Sequence, residues 1–276
     1  MIDAKIVVDS SANLAAETSA VSSVPLKIIT DQKEYIDDAG LDTAAMVSEL
    51  QTYTGKSSTA CPSPHDWLEA FDDKPYVFCI AITSSLSGSC NAANIAKADY
   101  EHAHPGRQVC VIDSLSTGGE MELIAEKLRE LFSEGLSFPE IAQRIHSYQQ
   151  TTSLLFMLES MQNLANNGRV SKIAAKAAGL LGIRVVGKSS DKGTLQPLEK
   201  CRGEKKAITF LLENMCGTGY EGGKVRISHC LNPEAAQNLR DRILALYPQA
   251  DVQIRPTGGL CSFYAEKGGL IIGFET

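Results

Sequence analysis

The chain has 276 residues, of which 43% are hydrophobic and 21% charged, enough apolar material for one large or two modest cores and far from a disordered composition. Its 26 basic and 33 acidic residues leave a net charge of −7, which repels phosphate backbones and anionic lipid headgroups and excludes nucleic acid as the expected partner. The opening Met1-Ile2-Asp3-Ala4-Lys5 is not a charged-then-apolar leader, and apolar runs such as Tyr76 to Ile82 are too short to form a membrane span. The cytoplasm is therefore the expected compartment, and the eight scattered cysteines, none at CxxC spacing, read as reduced, buried thiols.

Taken in chain order, Lys5 to Val8 is a short apolar strand ending in the polar Asp9-Ser10-Ser11, and Val24 to Ile29 is a second strand. Thr43 to Tyr53 has helical spacing through Met46, Val47 and Leu50. Ser63, Pro64 and Asp66 supply an N-cap, an N1 proline and an N3 acid for a helix through Trp67, Leu68 and Phe71. Tyr76 to Ile82 is a strand, Gly88 to about His102 a helix, and Gln108 to Ile112 a strand. Thr117 and Glu120 form a capping box for a helix with Met121, Ile124, Leu128 and Phe132 on one face. Strands alternating with helices imply a parallel sheet covered on both sides.

In the second half the pattern is less regular. Ser137 to Tyr148 (helix), Ser153 to Leu158 (strand) and Ser160 to Ala165 (short helix) lead to Asn166-Asn167-Gly168, a helix-ending signal. Ile183 to Gly187 and Thr194 to Leu198 flank the turn Asp191-Lys192-Gly193. Helices over Glu204 to Met215 and Glu234 to Leu246 alternate with strands over Lys224 to Cys230, Val252 to Ile254 and Leu270 to Phe274. The expected fold is α/β: a Rossmann-like parallel-sheet domain over residues 1–150 and an α+β domain over 151–276.

The segment with most chemistry is Thr83-Ser84-Ser85-Leu86-Ser87-Gly88-Ser89, between a strand and a helix. Ligands of parallel sheets bind beyond the strands' C-terminal ends, and a helix N-terminus there suits an anion. Ser87 either caps its helix or donates to such an anion. Ser57-Ser58-Thr59, Asp9-Ser10-Ser11 and Asp113-Ser114 are three more polar segments, and all four are expected to converge at one sheet edge. A nucleophilic Ser87 would need a base, yet His65, His102, His104, His146 and His229 lie outside any strand-end or glycine-rich setting, and GxSxG is absent. No catalytic residue and no metal ligand is assigned. Gly217-Thr218-Gly219-Tyr220-Glu221-Gly222 spells the dinucleotide motif, but with a helix before it and a strand after it, the reverse of what that motif requires.

Several segments, in order along nearly the whole chain, resemble the DegV family. They are Asp9-Ser10-Ser11, Pro25-Leu26, Tyr35-Ile36-Asp37, Ser84-Ser85-Leu86-Ser87-Gly88-Ser89 (similar to the family's SSxLSGTY), Ile112-Asp113-Ser114, Leu158 to Val170 with Asn167-Gly168-Arg169-Val170, Asp191-Lys192-Gly193, and Arg202 with Lys205-Lys206-Ala207. The resemblance implies a non-catalytic protein that needs no cofactor. It would bind a long-chain fatty acid such as palmitate or stearate between two domains and present it to a fatty acid kinase. By the same resemblance Thr59 and Ser87 hold the carboxylate, with Ser85, Gly88, Arg169, Arg202 and Tyr264 as supporting head-group or partner-contact positions. Two departures from the family pattern stand out. Its TSQ motif reads Thr59-Ala60-Cys61 here, and Tyr264 stands where many members have a histidine, a change that bears on handover to a kinase more than on lipid binding. A carrier of another small carboxylate or lipid, and a serine-dependent esterase, are the alternatives.

Overall fold

The computed structural model describes residues 2–14, 21–171 and 182–276. Four parallel strands, β1 (Ala4–Asp9), β2 (Val21–Val24), β6 (Tyr76–Ala81) and β7 (Gln108–Asp113), form a sheet in the order β2-β1-β6-β7. Successive side chains point to opposite faces, so Ile6, Val8, Phe78 and Ile80 face one core while Val7, Val77, Cys79 and Ala81 face the other. The second core is closed by α2 (Pro64–Phe71) and α3 (Ser89–Ala103), the first by α4 (Gly119–Ser133) and α5 (Phe138–Tyr148). α2 begins as its sequence dictates, with Ser63 and Asp66 exchanging reciprocal capping bonds and Pro64 in the first turn.

A six-stranded mixed sheet follows. Its strands are β8 (Thr152–Leu158), β9 (Ile183–Ser189), β10 (Leu195–Arg202), β11 (Val225–His229), β12 (Val252–Pro256) and β13 (Leu270–Glu275), in the order β10-β9-β8-β13-β11-β12. β9 and β10 form the expected hairpin, and only β11 and β12 run parallel. Two helices, α7 (Glu204–Gly217) and α8 (Pro233–Leu246), bury Leu155, Met157 and Ile272 of one face. The glycine-rich stretch starts at the last residue of α7 and leads into β11, so it opens no helix. The other face carries Leu154, Phe156, Leu158 and Ile271. Among the described residues no helix is long and apolar enough to cross a membrane.

Some expectations need correction. Val24 to Ile29 is not one strand. After Pro25 the backbone leaves the parallel sheet, Leu26 N–H donates to Ser10 Oγ (3.0 Å), and Lys27–Thr30 becomes β3 of a separate antiparallel sheet with β4 (Glu34–Ile36) and β5 (Ser57–Ala60). Ser57-Ser58-Thr59 is therefore a strand, not a loop at the parallel sheet's edge. The other three polar segments do meet at that edge, where Ile82 N–H donates to Asp9 and Ser84 N–H to Asp113. Thr117 does not cap α4, whose N-cap is Gly118. The helix start instead lies backbone to backbone on the mixed sheet: a Cβ on Gly119 would stand 2.3 Å from Arg226 O, and one on Gly273 2.2 Å from Glu120 N. Glu120 is consequently buried and accepts from Thr152 Oγ1 (2.7 Å). The cysteines are all free, but Cys61 and Cys216 are exposed.

α4 lies between the two large sheets and carries one arm of an ion network. Arg226 on β11 is 1% exposed and spends its five N–H donors on Glu126 Oε1 and Oε2, Asp251 Oδ2 and the carbonyls of Val225 and Asp251. Beside it Glu122 accepts from Arg255 Nε (2.7 Å). Burial pushes the Glu122 carboxyl up to about 7; the charges of Arg255 and Arg226 oppose this and that of Glu126 adds to it. Burial raises Asp9, Asp37 and Glu120 in the same direction. The folded Glu122 keeps its proton where the unfolded residue, ionising near 4.5, has lost it. Stability from this group is therefore highest below pH 4.5 and falls by ~3 kcal/mol as pH rises to 7. Urea unfolding at pH 5 and pH 8 is expected to show greater stability at pH 5, with Glu122→Gln narrowing the difference; an equal difference in the variant would remove Glu122 as its source.

Candidate functional site

The site begins with three short pieces of chain. The first is the loop Thr83–Gly88 leading into α3, an N-terminus with no side-chain cap of its own. Thr83 N–H donates to Ser116 O (3.0 Å), and Leu86 and Ser87 N–H both return to Thr83 O, giving a tight turn. Ser87 Oγ accepts from Ser89 N–H (3.2 Å), which leaves its own proton as a spare donor. Ser87 is not the cap of α3, whose N-cap is Gly88; its oxygen receives Ser89 N–H while its O–H stays available.

The second piece is β5. Thr59 pairs with Ile28 on β3, and the strand ends at Ala60, just before Cys61, whose thiol sits close to Gly88: a Cβ on that glycine would lie 3.2 Å from Cys61 Sγ. The third is a seven-residue helix, α9 (Gly259–Ala265), which the sequence reading passed over. Asp37 reaches its first turn from the far end of the chain, accepting Gly259 N–H (2.5 Å) and Leu260 N–H (2.8 Å) on its two oxygens. Gly259 is required there, since a Cβ would lie 2.6 Å from Leu41 Cδ2 and 2.8 Å from Asp37 Oδ1. So seated, α9 brings Tyr264 Oη to within 2.8 Å of Thr59 Oγ1. Burial raises the Tyr264 pKa, while the bond to Thr59 and the charge of Arg169 draw it down.

These pieces and the mixed sheet enclose a cavity of about 320 Å³, within the range of small-molecule sites. Thr59, Cys61, Ser87, Gly88, Arg169 and Tyr264 line it, and all six reach solvent at least in part. Its interior is buried and apolar, with Leu154, Phe156 and Leu158 at alternate positions of β8, Ile271 across from Phe156, and Leu26, Ile82 and Leu260 from the opposite side. The hollow thus has a polar mouth and a greasy interior, and residues on both sides of position 150 build its walls. Arg169 is the only charged side chain among the described residues lining it. Its Nε donates to Leu86 O (3.2 Å) and it also bonds Asn167 O, so the guanidinium is braced against the serine loop. Two other hollows, of about 590 and 620 Å³, are walled partly by charged residues such as Glu159, Arg184 and Lys267, or Asp37, Asp38 and Arg255.

Of the seven positions singled out from sequence, five line the cavity: Thr59, Ser87, Gly88, Arg169 and Tyr264. Ser85 does not; its hydroxyl donates to Lys192 O (2.5 Å) at the tip of the β9–β10 hairpin. Arg202 does not either, ending the edge strand β10 opposite Ile183 with its side chain exposed. The apolar wall was missed. The run Leu154 to Leu158 announces a buried strand, but nothing in it says which alternate face meets a hollow. Among the described residues no cluster of three or more His, Cys, Asp or Glu gathers in a metal-binding arrangement.

A family model described as an uncharacterised protein, DegV family, matches residues 3–276. The chain belongs to the DegV family. A DegV domain-containing protein of Streptococcus pneumoniae is 46% identical over 253 residues, 92% of this chain and 90% of the relative. Similar solved structures include a DegV family protein from Eubacterium eligens loaded with heptadecanoic acid, 44% identical, with 99% of each chain covered and a TM-score of 0.97. Another is the Streptococcus pneumoniae fatty acid kinase (Fak) B3 protein loaded with linoleic acid, 44% identical over 100% of this chain and 99% of that one, with a TM-score of 0.96. The expected DegV-like α/β architecture, with its parallel sheet and second mixed sheet, is the one observed.

Proposed function

We propose that this DegV protein binds one long-chain fatty acid and presents its carboxylate to a fatty acid kinase, catalysing no reaction itself. The acid lies between a unit of residues 1–150 and one of 151–276, tail in the apolar interior and head at the mouth. The observation that carries this reading is the composition of the cavity: a buried hydrocarbon lining ending at the hydroxyls of Thr59, Ser87 and Tyr264, beside a single arginine among the described residues. The ligands named for the Eubacterium and Streptococcus structures are long-chain acids, and the second protein is named for a fatty acid kinase.

The energetics follow. Moving roughly fourteen methylenes out of water gains about 0.8 kcal/mol each, about 11 kcal/mol gross, from which the lost freedom of association is subtracted. The tail provides affinity, so the head need only be satisfied. Thr59 and Tyr264 share a hydroxyl–hydroxyl bond in which either can donate; with Tyr264 as the donor, the threonine proton is free to turn toward the ligand. Ser87 supplies the second donor and the open N-terminus of α3 a favourable dipole. Tyr264 in place of a histidine removes a titratable imidazole from the head-group end, so presentation here works through neutral hydroxyls and Arg169.

Extraction of the purified protein followed by mass spectrometry tests the reading directly. The expected result is one equivalent of a long-chain fatty acid. Recovery of an isoprenoid or a short acid instead would replace the substrate class, and labelling of Ser87 by a serine-reactive phosphonate would revive the esterase.

A further inference from the structure

Asp9 closes β1 with its carboxylate fully buried, and it is not part of the cavity wall. Four donors converge on it. Ser11 N–H (3.2 Å) and Ser11 Oγ (2.5 Å) meet Oδ1, while Ile82 N–H (2.9 Å) and Ser89 Oγ (2.6 Å) meet Oδ2. Ile82 is the residue just before the loop Thr83–Gly88, and Ser89 is the residue just after it. One carboxylate oxygen therefore holds both ends of the loop that carries Ser87. The chain of contacts continues to the cavity, because Ser89 N–H donates to Ser87 Oγ. From outside, Ser116 holds Thr83, Asp113 holds Ser84, Lys192 holds Ser85 and Arg169 holds Leu86. Among the described residues, Asp9 is the one that bonds both Ile82 and Ser89.

The chemistry calls for a carboxylate at this position. An ionised acid accepts at both oxygens and donates nothing, matching four converging donors. Asparagine of the same shape would turn its NH2 toward either Ile82 N–H or Ser11 N–H, backbone donors that cannot rotate away. Burial lifts the Asp9 pKa and these four bonds lower it. A residue that terminates a core strand is usually retained for folding alone. Here its bonds run along the loop to the donor at the cavity mouth.

We propose that Asp9 is a positioning residue for the ligand's carboxylate, fixing both ends of the serine loop on one oxygen so that Ser87 is held at the cavity mouth. The inference rests on the fatty-acid reading, so the test separates the two. Delipidated wild type, Ser87→Ala, Ser89→Ala, the Ser87→Ala/Ser89→Ala pair and Asp9→Asn are titrated with palmitate, and thermal unfolding is recorded for each. Ser89→Ala breaks only one of the two end bonds and keeps the backbone N–H to Ser87, so it stays informative if Asp9→Asn does not fold. The expected result is a Kd about tenfold weaker for Ser89→Ala, and no further loss when that change is added to Ser87→Ala. A purely structural contribution would instead lower the unfolding midpoint and weaken the pair by the full product of the two single effects. That outcome, or a folded Ser89→Ala that binds palmitate as wild type does, overturns the proposal. Wild-type protein that fails to bind palmitate and carries no fatty acid sinks the fatty-acid reading, and the proposal with it.

Discussion

The variant Thr59→Ala/Ser87→Ala is expected to bind a long-chain fatty acid at least a hundredfold more weakly than wild type, with little change in thermal midpoint. Both side chains are only partly buried and line the cavity rather than a core, so their loss leaves the packed interior intact. Each hydroxyl is assigned a bond to a charged oxygen, and such bonds contribute about 1.5–3 kcal/mol. Losing both removes ~3–6 kcal/mol, a factor of roughly 10² to 10⁴ in affinity. The tail still gains its burial, so residual binding persists and should respond more to chain length than to the presence of a carboxylate. Native mass spectrometry of the expressed variant, and titration with palmitate against palmitic acid methyl ester, would show both effects. Full occupancy by free acid in the double variant would remove these two residues from the head-group site.

Replacing Arg226 is expected to cost more stability than any surface change in the molecule. Its five donors are all matched, two of them to Glu126 at 2.7 Å each, and it joins α4 to β11 and to Asp251, just before β12. Removing one partner of a buried ionic network leaves the other charges unpaired, at a cost of about 3–5 kcal/mol. For Arg226→Ala, Glu126 is left with Lys224 at 3.5 Å, half-exposed Asp251 turns to water, and Glu122, 1% exposed, stands beside the vacated site. For a chain of this size the thermal midpoint should fall by on the order of 10 °C. Arg226→Lys should recover only part of this, because one ammonium cannot reproduce the fork that meets Glu126 at two oxygens. Calorimetry on the three proteins measures both effects. A loss below about 1 kcal/mol for Arg226→Ala would class the network with surface ion pairs and deny it a role in holding α4 to the mixed sheet.

Much of the architecture was legible because it is written in local signals. Apolar runs such as Tyr76 to Ala81 bury both faces of a parallel strand. The Ser63-Pro64-Asp66 start of α2 and the Asp191-Lys192-Gly193 turn act within a few residues of themselves. The serine loop could be placed at a strand end for the same reason. β4, β5 and α9 were not legible: β4 is a three-residue strand that completes a short hairpin with β3, while β5 and α9 are made by more distant partners. β5 is a string of hydroxyl residues with no apolar alternation, and it is a strand because β3 offers it hydrogen bonds. α9 begins at two glycines and is held by Asp37, 222 positions away in the chain. Thr117 looked like a cap because its spacing to Glu120 is right, but close backbone packing at Gly119 and Gly273 set the helix start instead.

The sequence by itself determined the two kinds of sheet, the polar loop ahead of α3 and, by resemblance, the family. Local propensity and hydrophobic period act over a few residues and need no knowledge of the rest of the chain. Tertiary structure alone decided that Thr59 on an antiparallel strand, Ser87 on a parallel-sheet loop, Tyr264 on a short helix and Arg169 after another meet at one mouth above one face of β8. Such a meeting depends on which faces of separate elements pack together, and that is set by burial and backbone pairing between segments separated along the chain by 31 residues for Ile28 and Thr59, 83 for Leu86 and Arg169 and 205 for Thr59 and Tyr264.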